Sequence, residues 1–518
     1  MTLATLLVEA CRSRPSAVAL IDGLRRWTYA ELDAATDRLA EGWRRRQVQP
    51  GDRIALFMPN CAELAFGYLG CFKLGAVAVP LNARYKAPEV AHALVDAGAS
   101  NLAVHISRWP EVESLDLAAL GVRNCHVVGT DAAPPGTLLW DALMGPTECM
   151  PPPAAFGPEQ PAAILYTSGS TSRPKGVVYT HGTLSASNRI QTAAWQLDPQ
   201  DIQLITLSFA HAAALSTQLL PSLALGGTNV LLDAPTPGET VAAIRAHGCT
   251  RLVMLPAVLA DLVDHLEHQP ADLRSLRSVV AGGDIVPQRI QELFHLSSGL
   301  EISEVWGMTE CLGSINNPPF GSKVPGSIGR PAPEVSVKLI DPDGQEVADG
   351  NEGEILIRSP ALTVGYWNNP AATAAAIVDG WLHTGDLARR DADGVYWFLG
   401  RRKEIIVRGG SNISPLEVEE VIAQHPAVLR VGVVGFPDAR LGQIVVAGVM
   451  LDADHPSPSE DELRQFSRER IASYKTPERI HFLPELPLNP VGKVDRHRLL
   501  ALLQGEGAVG ATPGQVSR

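Results

Sequence analysis

The stretch Tyr166-Thr-Ser-Gly-Ser-Thr-Ser-Arg-Pro-Lys-Gly-Val177 is the most informative in the chain, dense in hydroxyls and glycine and holding one lysine. A loop of this composition after an apolar strand can wrap phosphates: backbone N–H groups and Ser/Thr hydroxyls donate, and Lys175 adds a point charge. It lacks the Gly-Lys-Ser/Thr order with which a P-loop opens its helix. A solvated Ser/Thr turn is the plain alternative. Lysine is also scarce, at only eight positions (73, 86, 175, 323, 338, 403, 475 and 493) against 35 arginines. A composition biased towards arginine explains the scarcity, but it makes each surviving lysine worth following.

Such a loop must be held by a scaffold. At 518 residues the chain is long enough for roughly two to four compact units. Its hydrophobic share of 45% and charged share of 19% suit packed globular structure. A net charge of −13 argues against a nucleic-acid or membrane-surface binder, since both need a basic footprint. Seven scattered cysteines without CxxC spacing suggest neither a disulfide framework nor a zinc site, and point to a reducing cytoplasm. The start meets Glu9 after a short apolar run with no basic leader, unlike a signal peptide. The longest apolar stretch, 66–81, is broken by Lys73 and is shorter than the ~20 residues of a membrane span.

Thr28 and Glu31 predict a capping box, followed by a helix with Leu32, Leu39 and Trp43 inward. Short apolar runs at 53–58, 76–81, 162–166, 202–207, 229–232, 251–255 and 278–281 alternate with helical patterns, as βαβ units require. After about residue 325, runs at 335–340, 353–358 and 395–399 separated by Asp/Gly turns predict an antiparallel β subdomain. Beyond 403 a compact α+β unit is expected, opening with a second capping box at Ser414-Pro415-x-Glu417. The predicted fold is therefore α/β: a large N-terminal domain of layered sheets (1–402) with a β subdomain, and a small mobile α+β C-terminal domain (403–518).

Five motifs in order resemble those of the adenylate-forming superfamily, which includes acyl-CoA synthetases, peptide-synthetase adenylation domains and luciferases. They are the 166–177 loop, Trp306-Gly-Met-Thr-Glu310, Gly380-Trp-Leu-His-Thr-Gly-Asp386, Gly400-Arg-Arg-Lys403-Glu-Ile-Ile with Asn412, and Pro490-x-Gly-Lys493. The resemblance spans essentially the whole chain. It implies that Thr167, Ser168, Gly169, Ser170, Thr171 and Lys175 hold ATP phosphates, and that Glu310, with Thr171, binds Mg²⁺, a hard cation that favours carboxylate and phosphate oxygen. Thr309 would donate to the α-phosphate, Asp386 would accept from the ribose hydroxyls, and Arg401 would support them. Ala281, Gly282 and Gly283 would lie against adenine, with Trp306 and Gly307 nearby. Lys493 would aim a mobile ammonium at the charge that builds as a carboxylate attacks the α-phosphate, from a flexible tip formed by 489–492.

Lys403 matches the hinge between two poses of the small domain. The second pose would present Arg408, Gly409 and Gly410 to coenzyme A, with Tyr474 and Lys475 beside its nucleotide, although Glu478 weakens that placement. Ser172 stands where the family usually has Gly, and Trp306 where Tyr is commoner, keeping a stacking face without a hydroxyl. His211 matches a residue beside the substrate carboxylate, where it would orient the acid or gate the pocket; a buried structural histidine is the alternative. No Asp falls within 209–214 to hold an α-ammonium, and the expected acyl wall (His211, Ala212, Gly282, Met308, Cys311, Leu312) is small or apolar. The implied activity is AMP-forming ligation of a hydrophobic fatty or aryl carboxylic acid to coenzyme A, with ATP and Mg²⁺. Loading of an acyl carrier protein, or a non-catalytic AMP/acyl-CoA sensor, are the alternatives. A homodimer is left open.

Overall fold

Unbroken Val/Ile/Leu runs require cover on both faces, which is how parallel sheets are built. The computed structural model describes residues 2–145, 156–167, 174–283, 286–408, 411–438, 440–489 and 492–509, without the side chains of 412 and 506–509. In its largest sheet the strands Ile302–Met308, Ser278–Gly282, Arg251–Met254, Ile202–Ile205, Thr228–Leu231 and Val18–Asp22 lie side by side in parallel. A second sheet sets Pro161–Tyr166, Val77–Pro80, Arg53–Phe57, Asn101–His105 and Asn124–Val128 in parallel, and Gly176–Thr180 returns antiparallel to the first of them.

The helix Ala62–Leu74 is apolar on nearly every face and accordingly buried along its length. With Tyr29–Arg45 and His181–Ala194 it belongs to one core that draws side chains from both sheets. Thr28 and Glu31 form the expected capping box, a cap worth ~1 kcal/mol.

The β subdomain is antiparallel throughout, pairing Ser336–Ile340, Glu352–Arg358, Trp381–Arg390 and Tyr396–Arg401. Its core takes in Trp306 and Cys311 from the large sheet. That shared core fixes the subdomain to the body.

The last unit is a small sheet with Gly442–Leu451 between Val428–Asp438 and Arg479–Phe482. Helices Pro415–Ala423 and Glu460–Arg468 cover one face and Arg496–Val509 the other. Both of its apolar cores are built from residues 406–503 alone. The box expected at Ser414 is only half formed: Ser414 Oγ accepts from Glu417 N–H at 3.4 Å, but the Glu417 carboxylate instead takes Lys475 Nζ at 2.6 and 2.7 Å. The ammonium is a stronger donor than the backbone N–H it displaces. Among the described residues, no helix is long and apolar enough to cross a membrane.

Candidate active site

One cavity of about 1420 Å³ opens where the large sheet, the β subdomain and the small unit meet. Thr167, Lys175, His211, Ala212, Gly282, Gly283, Trp306, Gly307, Met308, Thr309, Glu310, Leu312, Asp386, Arg401, Lys403 and Lys493 all line it. Residues brought from positions 167 to 493 thus share one space. Ser168, Gly169, Ser170, Thr171, Ser172, Gly409 and Gly410 lie outside the described residues.

At one end Thr167 leaves the strand Pro161–Tyr166, and its N–H donates to Lys175 O at 3.0 Å. Lys175 Nζ stands 4.9 Å from the centre of the Tyr366 ring, and the Tyr366 hydroxyl donates to Glu310 Oε1 at 2.8 Å. Glu310 is buried, and desolvation lifts its carboxyl above the ordinary range against the pull of Tyr366, Arg401 and Lys175. A cation arriving there would meet a carboxylate whose desolvation is already met by the fold. Glu310 offers one buried carboxylate on the cavity wall beside Lys175, which fits the Mg²⁺ mode in which substrate phosphates complete the shell.

Beside it, Asp386 and Arg401 are register partners on adjacent strands, with Arg401 Nε 3.5 Å from Asp386 Oδ1. The Trp306 indole N–H donates to Asp386 Oδ2 at 3.0 Å. Burial raises the Asp386 carboxyl, opposed by Arg401, Trp306 and Lys493. The expected stacking face of Trp306 is largely absent: the ring is 5% exposed and packed in the subdomain core. Its polar contact with the site is the N–H donated to Asp386.

Gly282 and Gly283 line the cavity where adenine is expected. A Cβ on Gly282 would overlap the Val305 side chain and carbonyl, and Gly283 has a φ of +91°, a conformation that favours glycine. Ala281 does not face this space. The pleat turns it to the other side of the sheet, into an apolar core with Val279 and Leu252. Cys311 departs likewise: it is 2% exposed in the core with Trp306 and Ile355, and burial pushes its thiol up to about 12. Of the residues expected at the acyl group, His211, Ala212, Gly282, Met308 and Leu312 line the cavity and Cys311 does not.

His211 Nδ1 accepts the Ala213 N–H at 3.3 Å, so the neutral ring carries its proton on Nε2. Burial, helped by the charge of Lys493, lowers its pKa to about 4. A neutral imidazole that can donate from Nε2 suits a carboxylate neighbour.

Lys493 enters from the small unit, with its Cε 3.8 Å from where a Cβ on Gly283 would stand. Its charge is felt at both His211 and Asp386. Asn489 N–H donates to Lys493 O at 2.8 Å, and Lys493 N–H to Asn489 Oδ1 at 3.1 Å, while 490 and 491 of the carrying loop lie outside the described residues. Lys403 sits in the short turn Arg402–Glu404 that follows the last subdomain strand.

The residues expected at coenzyme A are placed differently. Arg408 Nε donates to Glu478 Oε1 at 2.6 Å and Lys475 pairs with Glu417, while Tyr474 is exposed; none of the three lines the cavity. Both cations are spent inside the small unit in this pose. Tyr366 was not foreseen, because it lies 56 residues beyond Glu310 in a segment without a motif.

With this geometry in view, a family model described as AMP-binding enzyme matches residues 7–367, and one described as AMP-binding enzyme C-terminal domain matches 417–493. The chain is 36% identical over 490 residues to a feruloyl-CoA synthase from Amycolatopsis sp, covering 94% of this chain and 96% of the relative. It is 33% identical over 512 residues to the medium-chain fatty-acid–CoA ligase of Escherichia coli (strain K12), covering 96% and 90%. A crystal structure of the anthranilate CoA ligase AuaEII in complex with anthranoyl-AMP superposes with a TM-score of 0.92 at 27% identity, covering 98% of each chain.

Proposed function

The chain belongs to the AMP-binding enzyme family, and on that premise we propose that it joins a hydrophobic carboxylic acid to coenzyme A through an acyl-AMP. The observation that carries this reading is the convergence of Lys493, His211, Asp386 and Glu310 on one cavity from two separately packed parts of the chain. The substrate carboxylate attacks the α-phosphorus of ATP, the bond to the β-phosphate breaks, and pyrophosphate leaves. Coenzyme A thiolate then attacks the acyl carbon and AMP leaves.

In the first step Lys493 faces the oxygens on which charge develops, where a fixed cation in a site sheltered from water lowers the barrier most. Asp386, held by Trp306 and Arg401, orients the ribose. Lys175 and Thr167 take the phosphates. His211 donates from Nε2 to the acid. Glu310 would hold Mg²⁺, which when bound shields phosphate charge. In the second step the small unit, which we divide from the body at 402/403, turns about Lys403 and removes Lys493. The same turn brings the Arg408 side to the cavity, where coenzyme A phosphates would draw Arg408 and Lys475 from their carboxylate partners. The six described cysteines are unpaired, which suits a reducing cytoplasm.

Incubation with ATP, Mg²⁺, coenzyme A and a panel of aryl and fatty acids should yield AMP, pyrophosphate and thioester in equal amounts. Thioester on a carrier protein but not on coenzyme A would favour the loading enzyme. AMP release from no acid at all would overturn the ligase reading.

A further inference from the structure

The wall of the cavity is not apolar throughout. Gln203, Arg251 and Ser278 are register neighbours on three adjacent parallel strands, so they form one row across the sheet. All three line the cavity, together with Trp195 and Leu197. Gly282, which lines the cavity with His211, is four residues further along the strand that holds Ser278, so the row lies about 13 Å from Gly282 at ~3.3 Å per residue. The rung between them holds Val253 and Val280, with Val305 and Thr217 also on the wall. Odd neighbours such as Val279 and Ala281 point to the opposite core.

The row is buried, with Gln203 and Ser278 each 2% and Arg251 4% exposed. The Arg251 guanidinium is already engaged, with Asp201 shared between it and Arg277, whose Nη1 is 3.4 Å from Asp201 Oδ1. Arg251 Nε donates to Asp201 Oδ2 at 3.0 Å, Nη1 to Trp195 O at 2.9 Å and Nη2 to Gln196 O at 2.8 Å, and the guanidinium lies over Phe320 at 5.0 Å. A distal carboxylate on the substrate would have to displace one of these partners to reach the guanidinium. The other two members are unspent. The Ser278 hydroxyl has no partner, and the Gln203 amide makes no hydrogen bond among the described residues. Buried polar groups without partners are destabilising, and native folds keep few without a reason. A channel built only for a plain alkyl chain or bare ring would end in apolar side chains, as the Val253–Val280 rung does.

We propose that the acid this enzyme selects carries a neutral hydrogen-bonding group, a hydroxyl or ether oxygen, at the end distant from its carboxylate, received by Gln203 and Ser278. The amide offers both a donor and an acceptor, and the serine hydroxyl turns to suit either. The inference rests on the ligase reading above and specifies its substrate. A ring or a chain could carry the distal group, and the test separates them.

The test is acid-dependent AMP release measured as kcat/KM for two matched pairs, cinnamate against para-hydroxycinnamate and decanoate against its ω-hydroxy form. We expect the hydroxylated member to be preferred roughly tenfold or more in at least one pair, because a site that hydrogen-bonds a substrate group rejects the analogue without it. The preferred pair identifies ring or chain. Gln203→Leu should reduce that preference about tenfold. Ser278→Ala, which removes one oxygen from a packed position, should reduce it severalfold in a folded enzyme. Equal use of both members of both pairs, or a preference that neither variant moves, would overturn the proposal while leaving the ligase reading intact. No AMP from any of the four acids, nor from the wider panel, would overturn the ligase reading and this inference with it.

Discussion

The body and the small unit both line the same cavity, but they are held by different forces. The body's cavity walls grow out of cores that join sheets to helices and to the β subdomain, so Trp306 is packed as core while its N–H serves the site. The small unit keeps its apolar cores to itself, and the hydrogen-bonded contacts it makes with the body are at its surface. These include Arg430 Nη2 to Asp261 Oδ1 at 2.7 Å and Arg289 Nη1 to Pro426 O at 3.0 Å. Exposed pairs of this kind are worth ~0–1 kcal/mol each. The difference teaches how the proposed reaction would divide its labour: orientation by walls packed into shared cores, and the ammonium of Lys493 from a separately packed unit.

That contrast can be broken at its rigid side first. Asp386→Ala removes the carboxylate around which Trp306 and Arg401 are arranged, and should lower kcat/KM for ATP about 100-fold in pyrophosphate release, the scale of a charged hydrogen-bonding partner. A loss below threefold would mean that the ribose is held elsewhere. Trp306→Phe keeps an aromatic ring and deletes the N–H; it should raise the KM for ATP and for supplied acyl-AMP about tenfold, since both carry the ribose.

On the detachable side, the double variant Arg289→Ala, Arg430→Ala should slow acyl-AMP formation only two- to fivefold, as lost surface contacts allow. Thioester formation from acyl-AMP should hold or quicken. A hundredfold loss would show the unit to be locked rather than poised.

The smallest effect concerns His211. Its folded pKa of about 4 lies below the unfolded 6.5, so the stability it contributes is complete above pH 6.5 and is lost as pH falls through 4. Across pH 5 to 8 the ring stays neutral. The pH profile of kcat/KM for the acid should therefore show no step near 6.5. A step there that disappears in His211→Asn would contradict the assignment.

Local structure was legible where one segment decides it. The Thr28 box, the strand runs of the first half and the turn-punctuated subdomain follow from neighbours in sequence. The motif residues became legible only by resemblance, because nothing near Glu310 or Lys493 says which solvated Glu or Lys turns inward. What escaped depends on partners far apart in the chain. Trp306 and Asp386 are 80 residues apart, Lys475 and Glu417 are 58, and the Lys475 pair undid a capping box that the local pattern predicts. The side chains of Cys311 and Ala281 face away from the cavity for a different reason: each has a neighbour on its wall, and the pleat or turn sends it the other way. The Gln203 row belongs to the same class, since strand register, not sequence proximity, aligns it.

The division between fixed walls and a delivered cation is tested most directly by Lys493→Ala, assayed separately in the two half-reactions. Acyl-AMP formation from acid and ATP should fall by about 100-fold or more, as for loss of a group aimed at developing charge. Conversion of supplied acyl-AMP and coenzyme A to thioester should stay within about twofold of the parent enzyme. Equal loss in both half-reactions of a folded variant would contradict the account.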